Sequence, residues 1–172
     1  LSSAASDVYK RQIKYHLEGN ILEAKKLYQI FLNRGLSDDR VFSNYGAILQ
    51  VLGKLEEGAK WYRKAIELNP NFANAHCNLG NILRDLGKLE EAEINTRKAI
   101  ELKPDFAEAY SNLGNILRDL GKLKEAEFYT RKATKLKPNE PINHFNLGNI
   151  MSALGRFKEA KLSYRKAIEI NP

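Results

Sequence analysis

The sequence predicts an all-α, right-handed solenoid of tandem 34-residue helix-turn-helix units, and three observations predict it. The first is a fixed period. Gly46, Gly80, Gly114 and Gly148 recur every 34 residues, and so do Gly53, Gly87, Gly121 and Gly155, Pro70, Pro104, Pro138 and Pro172, and Ala65, Ala99, Ala133 and Ala167. Self-similarity at a period of this size is the signature of a repeat architecture, and it takes precedence over other fold readings. The second is helical spacing of the apolar residues: Ala75, Leu79, Ile82, Leu83 and Leu86 fall on one face of a helix. The third is that no strand-like alternation of useful length interrupts the pattern. By length, the 172 residues could form one globular domain. The period instead implies about five stacked hairpins, each touching mainly its neighbours.

Taken in order, residues 1–12 are set apart. Ser2 to Gln12 reads SSAASDVYKRQ, which looks like the translation of a transposase sequencing adaptor carried over from metagenomic DNA. It is excluded from the fold reading. Residues 13–38 are expected to form a partial, degenerate repeat, because Gly19, Leu22, Ala24 and Tyr28 keep only part of the frame. Four units follow, at 39–72, 73–106, 107–140 and 141–172. The second and third are identical at 24 of 34 positions. Within a unit the first helix closes at the second glycine (Gly87), which takes the left-handed conformation a helix end requires. The second helix carries Leu89, Ala92, Ala99, Ile100 and Leu102. It stops at Lys103-Pro104, because proline disfavours helix in the residue before it. Asp105 is expected to cap the next helix. The last helix, about 157–170, presents Leu162, Ala167, Ile168 and Ile170. The array reads as a truncated fragment, with self-association expected through an uncapped C-terminal end.

A 34-residue helix-turn-helix with Leu-Gly in the first helix, Ala early in the second and Pro in the last turn resembles the tetratricopeptide repeat. The likeness covers 39–172 well and 13–38 weakly. The family's first aromatic slot holds Phe42, His76, Tyr110 and His144, and the two histidines are expected to pack there as rings. The later aromatic slot holds Tyr62, Thr96, Thr130 and Tyr164, and the early alanine is Gly58, Ala92, Ala126 and Ala160. The two threonines and Gly58 depart from the pattern and predict slightly looser packing within their units.

The candidate site is a polar stripe on the first helices. Asn78, Asn81 and Asp85, then Asn112, Asn115 and Asp119, then Asn146 and Asn149 follow helical steps of three and four, and Asn44 begins the series. Asparagine is a mediocre helix former, so its alignment between units asks for a reason. One is a ladder for an extended peptide, since each amide both donates and accepts. The other is that asparagine bonds a neighbouring repeat, or recurs only because the repeats share an ancestor. The resemblance implies the first: in this family the first helices line the concave groove, and a similar ladder marks the repeats of O-linked N-acetylglucosamine transferases. Arg84 and Arg118 flank the stripe and make it mixed in charge. The positions where chaperone-binding repeats clamp a carboxylate hold Ser43, Cys77, Ser111 and Phe145, which argues against capture of an acidic tail.

The net charge of +7 raises the possibility of nucleic acid. Its most regular source, however, is one Arg-Lys pair per second helix (Arg63-Lys64, Arg97-Lys98, Arg131-Lys132, Arg165-Lys166), with Glu93, Glu127 and Glu101 at pairing distance along the helix. That reads as a solvated outer face, so no nucleic acid and no membrane are expected as partners. Nothing approaches the roughly 18-residue apolar run of a membrane span. No catalytic, metal-ligand or phosphate-cradling motif is present, no cofactor is expected, and Cys77, the single cysteine, reads as a packing residue in a reducing, cytoplasmic setting. The sequence therefore predicts a non-enzymatic scaffold that binds a protein or an extended peptide. The alternatives are the substrate-recruiting arm of a glycosyltransferase or other modifying enzyme, and a self-assembly scaffold.

Overall fold

A computed structural model describes residues 21–172. The adaptor-like segment 1–12 and the first part of the degenerate repeat lie outside the described residues. All described regular structure is helical: α1 Ile21–Asn33, α2 Asp39–Val51, α3 Leu55–Leu68, α4 Ala73–Asp85, α5 Leu89–Leu102, α6 Ala107–Asp119, α7 Leu123–Leu136, α8 Pro141–Ala153 and α9 Phe157–Ile170. Helices alternate between 13 and 14 residues from α2 onward. This is the α-solenoid class that the period predicts. The chain divides into two compact units, 1–75 and 76–172.

In the first unit the core is aromatic. Tyr28, Phe31, Val41, Phe42, Tyr45, Ile48 and Leu49 are buried together, with Trp61 and Phe72 packed against them. The Trp61 ring lies 5.1 Å from Phe42 and 5.3 Å from Tyr45, both off parallel, and tilted or edge-on pairs add to plain burial. The start of α2 is fixed by Asp38, whose Oδ1 accepts from the backbone N–H of Arg40 and of Val41, each at 3.0 Å.

In the second unit the core is mainly aliphatic, with Tyr110 buried and stacked on Tyr129 at 6.1 Å. Leu113, Leu117, Ala126 and Ile150 form one cluster, and Leu147, Met151 and Ala160 another. First helices end as expected. Gly87 has φ +73. Its N–H donates to Arg84 O and the Lys88 N–H to Leu83 O, both at 2.9 Å. This pair of hydrogen bonds satisfies two carbonyls the helix would otherwise leave unpaired.

Two expectations are corrected. Asp105 does not cap α6. The helix begins one residue later than supposed, Phe106 occupies the cap position without a side-chain bond, and Asp105 only accepts from the Ala107 N–H through its backbone oxygen. The threonines do not loosen their units either. Thr96 and Thr130 are fully buried, and each side chain presses so closely on Gly80 or Gly114 that a Cβ at the glycine would collide with its hydroxyl. The units with Tyr62 and Tyr164 make the same crossing with a ring edge, at 3.2 Å and 2.5 Å from a Cβ built on Gly46 and Gly148.

The histidines do more than pack as rings. The His144 Nε2–H donates to the Pro138 carbonyl at 2.7 Å, the same bond Tyr110 OH makes to Pro104 O at 3.1 Å one period earlier. Buried His76 instead faces Asn95 Oδ1 through Nδ1 at 3.2 Å.

Candidate functional site

The first helices of the second unit supply most of an open cleft of about 590 Å³. Asn81 and Arg84 come from α4, Asn112, Asn115 and Arg118 from α6, and Asn146 and Asn149 from α8. Seven of the residues singled out in the sequence therefore share one cleft. Asn78, Asp85 and Asp119 do not line it, and Asn44 lies half-buried on α2 in the other unit. The sequence reading missed Lys137, Glu140 and Asn143, which also line the cleft. Lys137 and Glu140 sit on the connection between α7 and α8, outside any helical periodicity. Asn143 stands where the earlier units have Val41, Ala75 and Ala109. An amide in an otherwise apolar slot was the available signal. The Asn143 Nδ2 donates to Ala133 O at 3.3 Å and ties that connection down.

The asparagines divide by what they bond. The Asn112 Nδ2 donates to Cys77 Sγ at 3.4 Å, and the Asn146 Nδ2 donates to Ser111 Oγ at 3.1 Å. Each bond reaches back 35 residues, from one first helix to the preceding one. These two asparagines thus serve the stacking role that the sequence left open. Asn149 Oδ1 accepts from Tyr164 OH at 2.9 Å within its own hairpin. Asn115 Oδ1 is buried and makes no hydrogen bond among the described residues.

The arginines are tied from behind the cleft. Arg84 Nε donates to Asp119 Oδ2 at 2.6 Å, and Arg118 donates to Asp119 Oδ1 at 2.9 Å. Burial pushes the Asp119 carboxyl up, but the bonds from Arg84 and then Arg118 outweigh it and hold the group below the usual carboxylate range. One carboxylate thus serves two guanidiniums. With Lys137 against Glu108 and Glu140 on the lining, both signs of charge face the cleft. Ile142 and Phe145, 52% and 48% exposed, add an apolar rim.

The single cysteine does not line the cleft. Cys77 is fully buried, and burial, with Glu108 adding, pushes its thiol up to about 12. A neutral thiol is neither nucleophile nor metal ligand. Among the described residues no three His, Cys, Asp or Glu side chains gather as a metal site.

A family model described as TPR repeat matches residues 46–83 and 80–121, and tetratricopeptide repeat models match 107–140 and 141–172. The chain belongs to the tetratricopeptide repeat family, whose members generally mediate protein–protein interactions. No curated protein matches it in sequence. Solved structures share the fold. MamA 41-end from Desulfovibrio magneticus RS-1 superposes with a TM-score of 0.85 at 21% identity, covering 99% of this chain and 96% of that one. A second MamA crystal structure gives 0.78 at 21%, covering 92% and 93%. The pilF structure from Pseudomonas aeruginosa gives 0.85 at 20%, covering 98% of this chain and 77% of that one. Among the described residues no helix is long and apolar enough to cross a membrane.

Proposed function

We propose that the second unit binds an extended segment of another protein in the cleft formed by α4, α6 and α8, and acts as a scaffold rather than a catalyst. The observation that carries this reading is the convergence of seven polar side chains from three successive first helices on one open cleft. An extended peptide presents alternating N–H and C=O groups, and side-chain amides can answer both. Lining charges of both signs give little preference for the net charge of the segment, so backbone recognition dominates. The Ile142 and Phe145 rim would accept an apolar side chain at one end.

The division among the asparagines supplies the test. A peptide selected from a random library on the whole chain should bind the parent at micromolar affinity. Asn81→Ala should weaken it about five- to tenfold, a lost hydrogen bond of about 1 kcal/mol, with a small change in melting temperature. Asn149→Ala should weaken it as much but also lower the melting temperature, because it removes the acceptor of the Tyr164 hydroxyl. Asn112→Ala and Asn146→Ala should lower the melting temperature as well, because they break the stacking bonds. Unchanged peptide affinity in all four variants would place the binding surface elsewhere.

A further inference from the structure

The outer face of the second unit carries a pattern that peptide capture does not use. One position of the repeat exposes an apolar residue on each of α5, α7 and α9: Ile94, Phe128 and Leu162, exposed by 69%, 63% and 63%; α9 exposes Phe157 and Ile168 as well. Single exposed apolar residues are ordinary. What distinguishes Phe128 and Leu162 is their surroundings. On a helix the neighbours of residue i are i−4, i−3, i+3 and i+4, with i+7 one turn further along the same face. Around Phe128 these are Lys124, Glu125, Arg131, Lys132 and Lys135, four exposed cations and one anion that Arg97 holds at 2.9 Å. Around Leu162 they are Lys158, Glu159, Arg165, Lys166 and Glu169, three cations and two anions, the anions paired with Arg156 and Lys166. Around Ile94 the same places hold Glu90, Glu91, Arg97, Lys98 and Glu101, with anions in the majority. The two basic rings adjoin, because Arg156 bonds Glu127 at 2.7 Å and Arg131 reaches Glu159 at 3.6 Å, joining α7 to the start of α9.

The helix-supporting ion pairs expected from the sequence exist: Arg97–Glu93, Lys98–Glu101 and Arg131–Glu127, at 2.8, 2.8 and 2.9 Å. They account for both cations on α5, Arg97 and Lys98. They leave Lys124, Lys135, Lys158 and Arg165 without an ion pair among the described residues. A solvated face therefore explains α5 and does not explain α7 and α9.

We propose that the outer face of α7 and α9 docks reversibly on an anionic lipid surface, with Phe128 and Leu162 entering the interface and the surrounding lysines and arginines held by acidic headgroups. Charge complementarity selects an anionic partner. The two protruding apolar side chains select a bilayer over a nucleic acid, whose phosphate backbone offers them nothing. They also favour a bilayer over an acidic protein, which would need a socket for each chain at the repeat spacing. A bilayer interface supplies both chemistries at every point. Neither component is sufficient alone, since weak apolar insertion needs a second, electrostatic signal for stable attachment.

The experiment is flotation of the whole chain with phosphatidylcholine vesicles and with vesicles that also contain phosphatidylserine. Binding is expected only with phosphatidylserine and should fall as salt screens the surface. Lys124→Glu with Lys135→Glu, and separately Phe128→Ser with Leu162→Ser, should each reduce it about tenfold or more. Ile94→Ser should leave it unchanged. All these positions are exposed, so circular dichroism should show every variant folded. No retention on phosphatidylserine vesicles overturns the proposal. Equal retention on neutral vesicles, or equal sensitivity to Ile94→Ser, also overturns it. Tight binding of polyglutamate or a single-stranded oligonucleotide that survives Phe128→Ser, with no vesicle binding, would reassign the face to a polyanion.

Discussion

The segments 73–106 and 107–140 are identical at 24 of 34 positions, so ten differ. None of the ten is itself a residue of the Gly80/Gly114 crossing with Thr96/Thr130 or of the Gly87/Gly121 helix ends, although Thr134, which stands at the place of Ile100, donates to Thr130 O at 3.0 Å. Three lie on the first helices, at 74/108, 76/110 and 77/111. Two lie on the connection that follows. Five lie on the second helices, and of these 90/124, 94/128 and 101/135 are exposed in both copies. At 90/124 and 101/135 glutamate becomes lysine, so one outer face has anions in the majority and its copy is strongly basic. The glycine crossings and helix ends are held constant, while divergence falls on exposed outer positions and on two buried contacts: His76–Asn95 in one copy is Tyr110–Tyr129 in the other, and Cys77 is replaced by Ser111. A repeat chain of this kind can vary its outer surface without touching the crossings that close each hairpin.

The crossing is the part of the comparison easiest to break. A Cβ at Gly80 would meet Thr96 Oγ1 and also the Ala92 carbonyl at 3.1 Å; at Gly114 the matching carbonyl is 3.4 Å away. A hydroxyl can rotate aside, but a helical carbonyl cannot. Gly80→Ala and Gly114→Ala should each destabilise by about 1–3 kcal/mol, the usual cost of overpacking, with Gly80→Ala the worse. Urea denaturation of both variants decides it. Equal or negligible losses would mean that the threonines yield and that the crossing is not a constraint.

How much of this was legible in the sequence depends on the range of the interaction. Helix ends were legible because glycine at positive φ and proline act within one turn, and the last helix, read at about 157–170 within the repeat frame, is α9 Phe157–Ile170. The failed cap at Asp105 was a one-residue error, and a cap tolerates none. The cleft was legible as a stripe, because one helix face is set by local geometry. The stacking bonds Asn112–Cys77 and Asn146–Ser111 were not legible. Choosing between a ligand and a neighbouring repeat requires knowing which residue 35 places back faces the amide, and that follows from the packing of successive first helices. Lys137 and Glu140 escaped because a connection has no period to betray its facing.

A smaller effect tests how the repeats are tied. Asp119 exists in both copies as sequence, since Asp85 is its counterpart, but in the second unit Asp119 receives both Arg84 and Arg118. Its carboxyl pKa is depressed in the folded state. Its contribution to stability is therefore fully present above the unfolded value of about 3.9 and is lost as pH falls through the lower folded value. Glu93, held by Lys122 and Arg97, and Glu127, held by Arg131 and Arg156, are depressed in the same sense against the opposing effect of burial. Stability should thus be flat from pH 7 to about 5 and fall below about 4. Asp119→Asn should remove part of that fall and cost up to about 1 kcal/mol at neutral pH, because the pair is partly open to solvent. An unaltered acid limb in the variant would show that Asp119 is bonded but not coupled to folding.

The smallest expected effect concerns the position where the copies exchange sulfur for oxygen. Cys77 and Ser111 accept the same bond, from Asn112 and Asn146. Cys77 lies in an apolar cluster with Ala99 and Ala109, with Ile100 and Phe106 packed against it. Cys77→Ser would lose some favourable burial there but would give Asn112 a better acceptor, so the two changes oppose each other. The net change should stay within about 1 kcal/mol, and Ser111→Cys should be its near mirror. The native Cys77 thiol provides an independent reading of the same packing. Buried, and with its pKa pushed to about 12, it should react with a thiol reagent at pH 8 only as fast as the hairpin opens. Labelling should therefore track unfolding and accelerate in Asn112→Ala, which removes the amide that donates to the sulfur. Rapid stoichiometric labelling of the folded parent would mean that the α4–α6 contact opens under native conditions. The hydrogen bond at 3.4 Å would then not be what holds those two repeats together.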